Sequence, residues 1–386
     1  MEIRLSLVAC VLLQVQLLCA AVPTVHAAEE KTRQEEMLVL GSREVHVASI
    51  RNKTVEVRRI SPEGKIVDQL VVNTFGKIVW TIEGQRTDSE RLFSHGAFQV
   101  SFVGAERRPR LLLRGYDMAL SPDGSTLAYV GYGKAGKSLS LYCEDLNTGN
   151  IRQVSTGWRF LASPAWSPDG KKIAYYCTSA PKSAEVGGFC EGGVCLNVVD
   201  VVTGRDKQVA PPSKPTRWRG EERTQPMWSP ASDRLFFEAH YQDKDAGVLG
   251  NSYLYQVPVD GEQKPFLLME DRGYCSSVSA RDGTLYVVAV DIDGDECIYA
   301  LVLDGDGKPR KKTLLVKNGS MPKISPSGTN LAYIGEGLRV RSLTDGVDMV
   351  VHKTWHHTSS SRFYWVSVER PRGSPDGDAG KEEHYK

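Results

Sequence analysis

Hydrophobic and polar positions along the chain follow a repeated plan of short strands and tight turns. Within residues 116–352, five units each contain an apolar run, a turn and a second apolar run with an aromatic residue, followed by two more apolar runs joined by a turn. WSPDGKKIAYY (166–176) shows the first half of the plan, and LNVVDVVTGRDKQV (196–209) shows the second half. These runs have strand length and lie between Gly, Pro, Asp and Ser clusters, so the pattern predicts four antiparallel strands per unit.

The five units recur at a period typical of β-propeller blades. Their first turns are centred on Asp123–Gly124, Asp169–Gly170, Ala231–Ser232, Asp282–Gly283 and Ser327–Gly328. Four-stranded units repeated every ~45–60 residues favour blades that cover each other's faces around an axis. Because related turns recur five times, their aspartates are predicted to accept hydrogen bonds within the turn and not to act in catalysis.

Weaker strand patterns flank these units. Residues 28–115 predict one or two degenerate blades, of which 37–72 supply four strands. Residues 362–369 are strand-like and are predicted to complete the terminal blade and close the ring, and 371–386 predict a disordered tail. We therefore predict an all-β fold, a β-propeller with six, alternatively seven, four-stranded blades, in which the clear repeats span 116–370.

The repeat resembles that of TolB-type propellers, whose pattern is W-S-P-D-G, a polar pair, I-A-F/Y and a later T-G turn. The residues that match in this chain are Trp166, Ser167, Pro168, Asp169, Gly170, Ile173, Ala174 and Tyr175, and again Ser121, Pro122, Asp123, Gly124, Leu127, Ala128 and Tyr129, with Trp228, Ser229 and Pro230. The resemblance implies a propeller like that of periplasmic TolB or the non-catalytic domain of prolyl-oligopeptidase-like peptidases. TolB carries an α/β domain before its propeller, whereas residues 28–115 read as strands here.

The N-terminal segment predicts export. An apolar run, LSLVACVLLQVQLLCAAV (5–22), follows a single positive charge and precedes the small-residue site VHA (25–27). This order is typical of a cleaved signal peptide spanning residues 1–27, and it predicts a periplasmic or secreted protein. The alternatives are a membrane anchor, since the run approaches spanning length, and lipidation at LVAC (7–10). No second run is long enough to span a membrane, so the mature chain is predicted to have no integral membrane segment.

Net charge and the absence of a hydrolase motif limit the classes of function that the sequence favours. The formal net charge is +1, which does not favour a nucleic-acid partner. The sequence has no G-x-S-x-G nucleophile motif, so no serine-hydrolase activity is predicted. A rigid ring that presents loops predicts binding of a protein or cell-envelope ligand, without a cofactor. The alternative is a metal-dependent, carbohydrate lyase-like enzyme with a site in the axial funnel, because some propellers cleave oligogalacturonate through histidines near the axis.

Six cysteines remain after the predicted signal peptide, and an even number in an exported chain favours disulfides. Cys190 and Cys195 flank a glycine-rich tip and could close a small ring, and Cys275 and Cys297 could join two strands of one repeat. The other candidates are Cys143 and Cys177. A zinc site built on Cys177, Cys190 and Cys195 is the alternative.

Two further patterns suggest metal binding. His240, His352 and His356 are candidate ligands of a transition metal, since imidazole suits such ions. The segment DIDGDE (291–296) alternates aspartates as calcium loops do, although it also suits a hairpin turn between the second and third strands of a blade. Its candidate calcium ligands are Asp291, Asp293 and Asp295.

Two long connections, 178–195 and 210–225, interrupt the repeat. Loops of this length in a compact repeat are typically functional or disordered. The second connection holds tryptophan and arginine, the residue types that contribute most to binding interfaces, so we predict a partner-binding role. The alternative is a loop that folds back, with its arginines paired to neighbouring glutamates. The predicted partner-binding residues are Arg217, Trp218, Arg219 and Arg223.

Overall fold

The computed structural model describes most of the repeat region and parts of both flanks. The described residues are 32–41, 45–51, 54–59, 67–72, 78–82, 98–102, 110–112, 116–132, 138–158, 160–178, 194–213, 225–239, 241, 253–261, 264–353 and 362–371. Within these ranges all regular secondary structure is β-strand. Residues 36–367 form one compact unit, and the described residues outside it are the strand ends 32–35 and 368–371.

The strands are numbered in chain order. The first part of the chain contains β1 (Thr32–Gly41), β2 (Val45–Arg51), β3 (Thr54–Arg59), β4 (Val67–Val72), β5 (Ile78–Ile82), β6 (Phe98–Phe102) and β7 (Arg110–Leu112). The middle contains β8 (Tyr116–Leu120), β9 (Thr126–Tyr132), β10 (Leu139–Asp145), β11 (Ile151–Trp158), β12 (Phe160–Trp166), β13 (Lys172–Thr178), β14 (Val194–Asp200), β15 (Asp206–Ser213), β16 (Met227–Trp228), β17 (Arg234–Ala239) and β18 (Tyr253–Pro258). The last part contains β19 (Phe266–Val278), β20 (Leu285–Val290), β21 (Glu296–Leu303), β22 (Pro309–Val316), β23 (Ser320–Ile324), β24 (Asn330–Gly335), β25 (Gly337–Ser342), β26 (Asp348–His352) and β27 (Arg362–Pro371).

These strands form antiparallel sheets in which chain neighbours pair. Sheets of four strands have the orders β4-β5-β6-β7, β11-β10-β9-β8, β12-β13-β14-β15, β23-β24-β25-β26 and β27-β1-β2-β3, and a seven-stranded sheet runs from β16 to β22. In the seven-stranded sheet the first part of β19 pairs with β18 and its second part pairs with β20. Divided at β19, the described residues form seven four-stranded units, while the number of blades in the whole chain stays a prediction.

The N-terminal sheet differs from the sequence interpretation. The pattern predicts four strands of one unit within 37–72, but only β1, β2 and β3 lie in one sheet, and β4 begins the next. The fourth strand of the first sheet is β27, which lies beside β1. The strand-like segment 362–369 therefore completes the N-terminal sheet and not the last one. Periodicity cannot reveal this pairing because the two strands lie at opposite ends of the chain.

The turn between the first and second strands has the predicted construction. In the clearest example, the carboxylate of Asp169 accepts hydrogen bonds from Ser167 Oγ (2.6 Å) and Lys171 N (3.1 Å). Burial alone would raise the pKa of Asp169. The two hydrogen bonds and the charges of the neighbouring lysines lower it by more, so the pKa lies below its usual value. The backbone then turns through the left-handed region at Gly124 (φ 67°), Gly170 (φ 70°), Ser232 (φ 59°), Gly283 (φ 70°) and Gly328 (φ 75°). The prediction that the turn aspartate accepts hydrogen bonds within its own turn is confirmed.

Gly170→Ala is expected to lower the free energy of unfolding by about 1–2 kcal/mol, the cost of placing a Cβ in the left-handed region. A Cβ built at Gly170 would meet only Pro122 Cδ, at 3.9 Å, so the backbone and not a clash causes the loss. The matched control is Gly305→Ala, where no atom lies within 4 Å of the added Cβ and φ is not positive. Urea unfolding checks both variants, and equal losses would contradict this explanation.

Apolar cores lie between neighbouring sheets. Ile173 and Tyr175 of β13 pack with Val130 and Leu141 of the preceding sheet, and all four are fully buried. A second core joins the sheet β23–β26 to β1, β2 and β27, and it includes Phe363. Because the sheets between β8 and β26 have apolar clusters on both faces, the continuous apolar runs in this part of the sequence are strands covered from both sides.

Tryptophan side chains join the first strands of successive sheets. We call β4, β8, β12, β16, the second part of β19, β23 and β27 the first strands. The tryptophan bonds run from Trp166 Nε1 to Ala119 O (3.1 Å), from Trp228 Nε1 to Ala165 O (2.9 Å) and from Trp365 Nε1 to Lys323 O (2.8 Å). The acceptors Ala119, Ala165 and Lys323 each lie two residues before the serine of their turn. Because equivalent positions meet, neighbouring first strands lie side by side and begin at the same end.

Candidate functional site

The strand pairing shows where the connections of each sheet leave it. In the sheet β12–β15, Phe160 at the start of β12 pairs with Thr178 at the end of β13. Val194 at the start of β14 pairs with Ser213 at the end of β15. All four residues therefore lie at the end of the sheet where the first strand begins. We call this end of each sheet the loop end.

The long connections that interrupt the repeat both leave from the loop end. Residues 179–193 join β13 to β14, and 214–224 lead from β15 towards β16. The antiparallel order alone requires this, because the second-to-third and fourth-to-first connections of a four-stranded unit share one end. The sequence predictions leave open which face these two connections share, although strand parity is enough to place both at one end. The turns that the repeats share lie at the opposite end, which we call the turn end.

Neighbouring sheets present further connections at their loop ends. Ala239 pairs with Tyr253 where β17 and β18 are joined, and Val290 pairs with Glu296 at the following hairpin. Tyr241 lies in the first of these connections, where its hydroxyl donates to Pro211 O at 2.9 Å and its ring meets that of Tyr255 edge-on. Burial raises the pKa of Tyr241, so this hydroxyl stays neutral and donates. Adjacent loop ends are thus fastened to one another by side chains.

The predicted partner-binding residues Arg217, Trp218, Arg219 and Arg223 lie outside the described residues, so their role stays a prediction. The described residue that follows their segment, Gln225, donates from Nε2 to Pro164 O at 3.1 Å. This contact fastens the returning end of the connection to the first strand β12 of the preceding sheet. The segment 214–224 therefore ends beside the first strands.

The first strands carry bulges close to the loop end. Their pairing shifts register between Tyr116 and Ala119, between Ala162 and Ala165, and between Ser320 and Lys323. Within these bulges Asp117, Ser163 and Met321 have φ of 47°, 53° and 52°. Such backbone costs about 1–3 kcal/mol per residue and persists only where the surroundings enforce it.

Hydrogen bonds between sheets enforce the bulges. Ser163 N donates to the carboxylate of Asp117 at 3.0 Å, and Met321 N donates to the hydroxyl of Tyr274 at 3.4 Å. These residues are not among the sequence predictions, because their types differ. Their shared position, four residues before the serine of the turn, is the signal that could have found them. We call these hydrogen-bonded bulges, which lie beside the loop end, the inner rim.

A buried polar network lies between the sheets β8–β11 and β12–β15. Ser155 Oγ donates to the carboxylate of Asp206 (2.7 Å), which also accepts from the Tyr175 hydroxyl and from Asn197 Nδ2 (3.0 Å). Burial, followed by the charge of Asp206, raises the pKa of Tyr175, so its hydroxyl stays protonated. Tyr333 donates to Asp348 at 3.0 Å in the equivalent place of another sheet. Because the tyrosine–aspartate pair recurs, we assign it to the framework and not to catalysis.

The calcium candidate Asp291 acts within its own hairpin. Its carboxylate accepts hydrogen bonds from Asp293 N (3.0 Å) and Asp295 N (2.9 Å), and the bond from Asp295 is the main cause of its lowered pKa. Both bonds end on the same oxygen, Oδ1, so this atom is used to close the hairpin turn. The structure therefore favours the hairpin interpretation of 291–296, although metal binding itself stays a prediction for Asp291, Asp293 and Asp295.

Of the three histidine candidates, the structure describes His352. His352 ends β26 and is exposed, while His240 and His356 lie outside the described residues. Within the described ranges, no three His, Cys, Asp or Glu side chains gather as a metal-binding group. The transition-metal hypothesis therefore stays a prediction that involves residues beyond those ranges.

The predicted Cys275–Cys297 disulfide is wrong. Both thiols are free, and β20 separates the strands that carry them. Two strand spacings amount to about 9–10 Å, beyond the ~7 Å that a disulfide can bridge between Cα atoms. Cys143, Cys177 and Cys195 are also free, and Cys190 lies outside the described residues, so the Cys190–Cys195 ring and the zinc alternative stay predictions.

Comparison with curated proteins gives a partial match. No protein-family model matches the chain. Dipeptidyl-peptidase 5 of Porphyromonas gingivalis is 32% identical over 130 residues, which are 32% of this chain. The match spans only 17% of the length of that relative, so it carries no conclusion about activity.

Comparison with solved structures is more extensive. Oligogalacturonate lyase in complex with manganese is 14% identical, with 85% of this chain and 88% of that chain covered and a TM-score of 0.55. The β-propeller domain of the Trilobed protease from Pyrococcus furiosus is 11% identical, with 76% and 85% covered and a TM-score of 0.52. The fold is a β-propeller. TolB from Acinetobacter baumannii is also similar, at 18% identity, 84% and 79% coverage and a TM-score of 0.46. The predicted all-β propeller fold is confirmed, and identities this low show the fold alone.

The described part of the propeller contains no helix that could cross a membrane. In this propeller the loop end is the end of each blade at which its first strand begins. The described residues thus place hydrogen-bonded first strands at the end of the blades from which connections of unequal length leave.

Proposed function

We propose that the protein is an exported β-propeller that binds a protein or other cell-envelope ligand through its loop end. The observation that carries the proposal is the asymmetry between the two ends of the blades. The turn end is built from one repeated motif, whereas the loop end bears the segments that the repeats do not share, including 179–193 and 214–224. Variable loops on a rigid scaffold are the usual location of binding residues.

The inner rim at the loop end supports the proposal because hydrogen bonds join its strands. Tryptophan–carbonyl bonds and the bond from Ser163 N to Asp117 connect neighbouring first strands. A rigid support reduces the entropy lost when a partner is bound. Arg217 and Trp218, in a connection rooted on this rim, have the side chains that most often provide binding energy.

Export is supported by the signal-like residues 1–27 and by the resemblance to TolB-type propellers, whose namesake works in the periplasm. The formal net charge of +1 gives no general attraction to nucleic acid. A cell-envelope partner therefore suits the chain better than a polyanion.

Site-specific photocrosslinking in intact cells tests the proposal. A photoreactive residue at Arg219 in the loop-end connection is expected to give a discrete adduct, which the variant Arg217→Ala/Trp218→Ala should weaken at least tenfold. The matched control position is Val202, which is 79% exposed in a turn at the turn end. Equal adducts from both positions would contradict binding through the loop end.

The alternative is a metal-dependent lyase that acts on a carbohydrate. It is favoured by the fold similarity to oligogalacturonate lyase in complex with manganese and by His352 at the loop end. Metal analysis of the purified protein separates the two functions. Catalysis would be the better explanation if the protein held stoichiometric Mn²⁺ or Zn²⁺ and lost it in His240→Ala and His356→Ala. The reaction should then also give the ultraviolet absorbance of an unsaturated sugar product.

A further inference from the structure

Two cysteines face each other at the root of the connection 179–193. Cys177 lies near the end of β13 and Cys195 near the start of β14, and their Cα atoms are direct partners in the antiparallel ladder. Cys177 is fully buried, whereas Cys195 is partly exposed, and both are free thiols. The geometry points to a reversible disulfide between Cys177 and Cys195 that closes the neck of this connection.

The ladder fixes the separation of the two residues. Val201 N donates to Lys171 O at 2.9 Å, which identifies this opposite pair as a hydrogen-bonded pair. The register continues without a shift from Lys172 to Cys177, so pairs alternate and Cys177–Cys195 is again hydrogen-bonded. In such pairs the Cα atoms lie about 5.5 Å apart, within the range of ~4.4–6.8 Å for disulfides.

The side chains share a face and an environment. Cys177 follows Tyr175 by two residues, and both pack in one apolar cluster with Cys195 at its edge. The neighbouring Cys195 thiol adds to the rise in the pKa of Cys177, after the larger effect of burial. The two sulfur atoms are therefore close on one side of the sheet and separated from bulk water on the Cys177 side.

The same geometry makes the bridge easy to reduce. Opposite Cβ atoms in a hydrogen-bonded pair are about 5.5 Å apart, whereas an unstrained disulfide needs ~3.8 Å. The strands must approach each other to form the bond, and strained disulfides have higher reduction potentials than structural ones. This bridge therefore responds to the redox conditions around the protein and does not serve as a permanent structural link.

The oxidant is a disulfide, either a small molecule or a protein. The thiolate of Cys195, the more exposed residue, attacks one sulfur of the oxidant R–S–S–R and releases one R–S⁻. The thiolate of Cys177 then attacks the Cys195 sulfur of the mixed disulfide and releases the second R–S⁻. Two protons leave the protein thiols and two RSH form, so the protein loses two electrons and the oxidant gains them. The new bond joins the two strands that flank residues 179–193, and it forms without any bound ligand.

Peptide mapping tests this disulfide on the folded, full chain. Reduced protein is treated with oxidised glutathione, alkylated, and digested with trypsin, which separates 173–182, carrying Cys177, from 183–205, carrying Cys195. We expect these two peptides to be linked and two thiols to be lost. Because Cys190 also lies in 183–205, the variant Cys190→Ser is mapped in parallel and should retain the link.

Several results would overturn the proposal. One is a bond between Cys190 and Cys195 with Cys177 free, and another is the loss of the link in Cys190→Ser while circular dichroism shows native strands. Unreacted thiols in the native protein, or a link that forms only in denaturant, would do the same. A titration in glutathione buffers checks lability, since a bridge that stays oxidised in every buffer would contradict the strained geometry.

Discussion

Trp365→Ala is expected to lower the free energy of unfolding by about 3–5 kcal/mol, as large aromatic truncations in cores do. Trp365 is 6% exposed and packs with Leu38, Met321 and Phe363 in the core between the last blade and the N-terminal blade. Its Nε1 also donates to Lys323 O at 2.8 Å. The alanine leaves a cavity and removes the hydrogen bond to Lys323 O, and both losses fall on the contact between β27 and the sheet β23–β26.

Two variants separate the contributions. Trp365→Phe keeps most of the apolar volume and removes the donor, so we expect a loss of about 1–2 kcal/mol. Val202→Ala, at a position 79% exposed, should change stability by less than about 0.5 kcal/mol. Urea unfolding followed by circular dichroism measures all three. If Trp365→Ala lost no more free energy of unfolding than Val202→Ala, the contacts of β27 would not stabilise the propeller as described.

Gly273→Ala is expected to cost about 3 kcal/mol or more, at the upper end of overpacking effects. Gly273 lies where β19 leaves its pairing with β18 and begins to pair with β20, opposite Ala289. A Cβ at Gly273 would lie 2.1 Å from Val288 O and 3.1 Å from Ala289 Cα. Both atoms belong to the backbone, so relief requires the two strands to separate.

The control for this variant is again Gly305→Ala, which adds a Cβ in open space. Thermal unfolding of both proteins, with soluble yield as a second measure, checks the prediction. A melting temperature for Gly273→Ala equal to that of the control would show that the strands can part at this point without cost, and that two blades are not joined rigidly through β19.

Local patterns were sufficient to predict the framework. The turn at Asp169–Gly170 and the alternating runs around it specify strands and turns through interactions between residues close in sequence, and these predictions hold. Such patterns could not predict which distant parts of the chain pair with each other. The place of β27 beside β1 depends on the closure of the whole ring, and no residue near 362–371 encodes its partner.

The candidate site was predicted only in part, for similar reasons. Cys275 and Cys297 look like a cross-strand pair in sequence, but β20 occupies the place between them. The direct pair Cys177–Cys195 is hidden because a long connection separates its members. The bulge at Asp117 and Ser163 depends on contacts between blades, which one blade considered alone does not show.

The pairing of β27 with β1 also sets an order of events during synthesis. The strands β1, β2 and β3 are made first, but the position beside β1 is filled only when residues 362–371 leave the ribosome. Until then the N-terminal blade has an open edge and the last blade lacks its Trp365 partner. The N-terminal blade therefore stays open to pairing with another strand until residues 362–371 have been made.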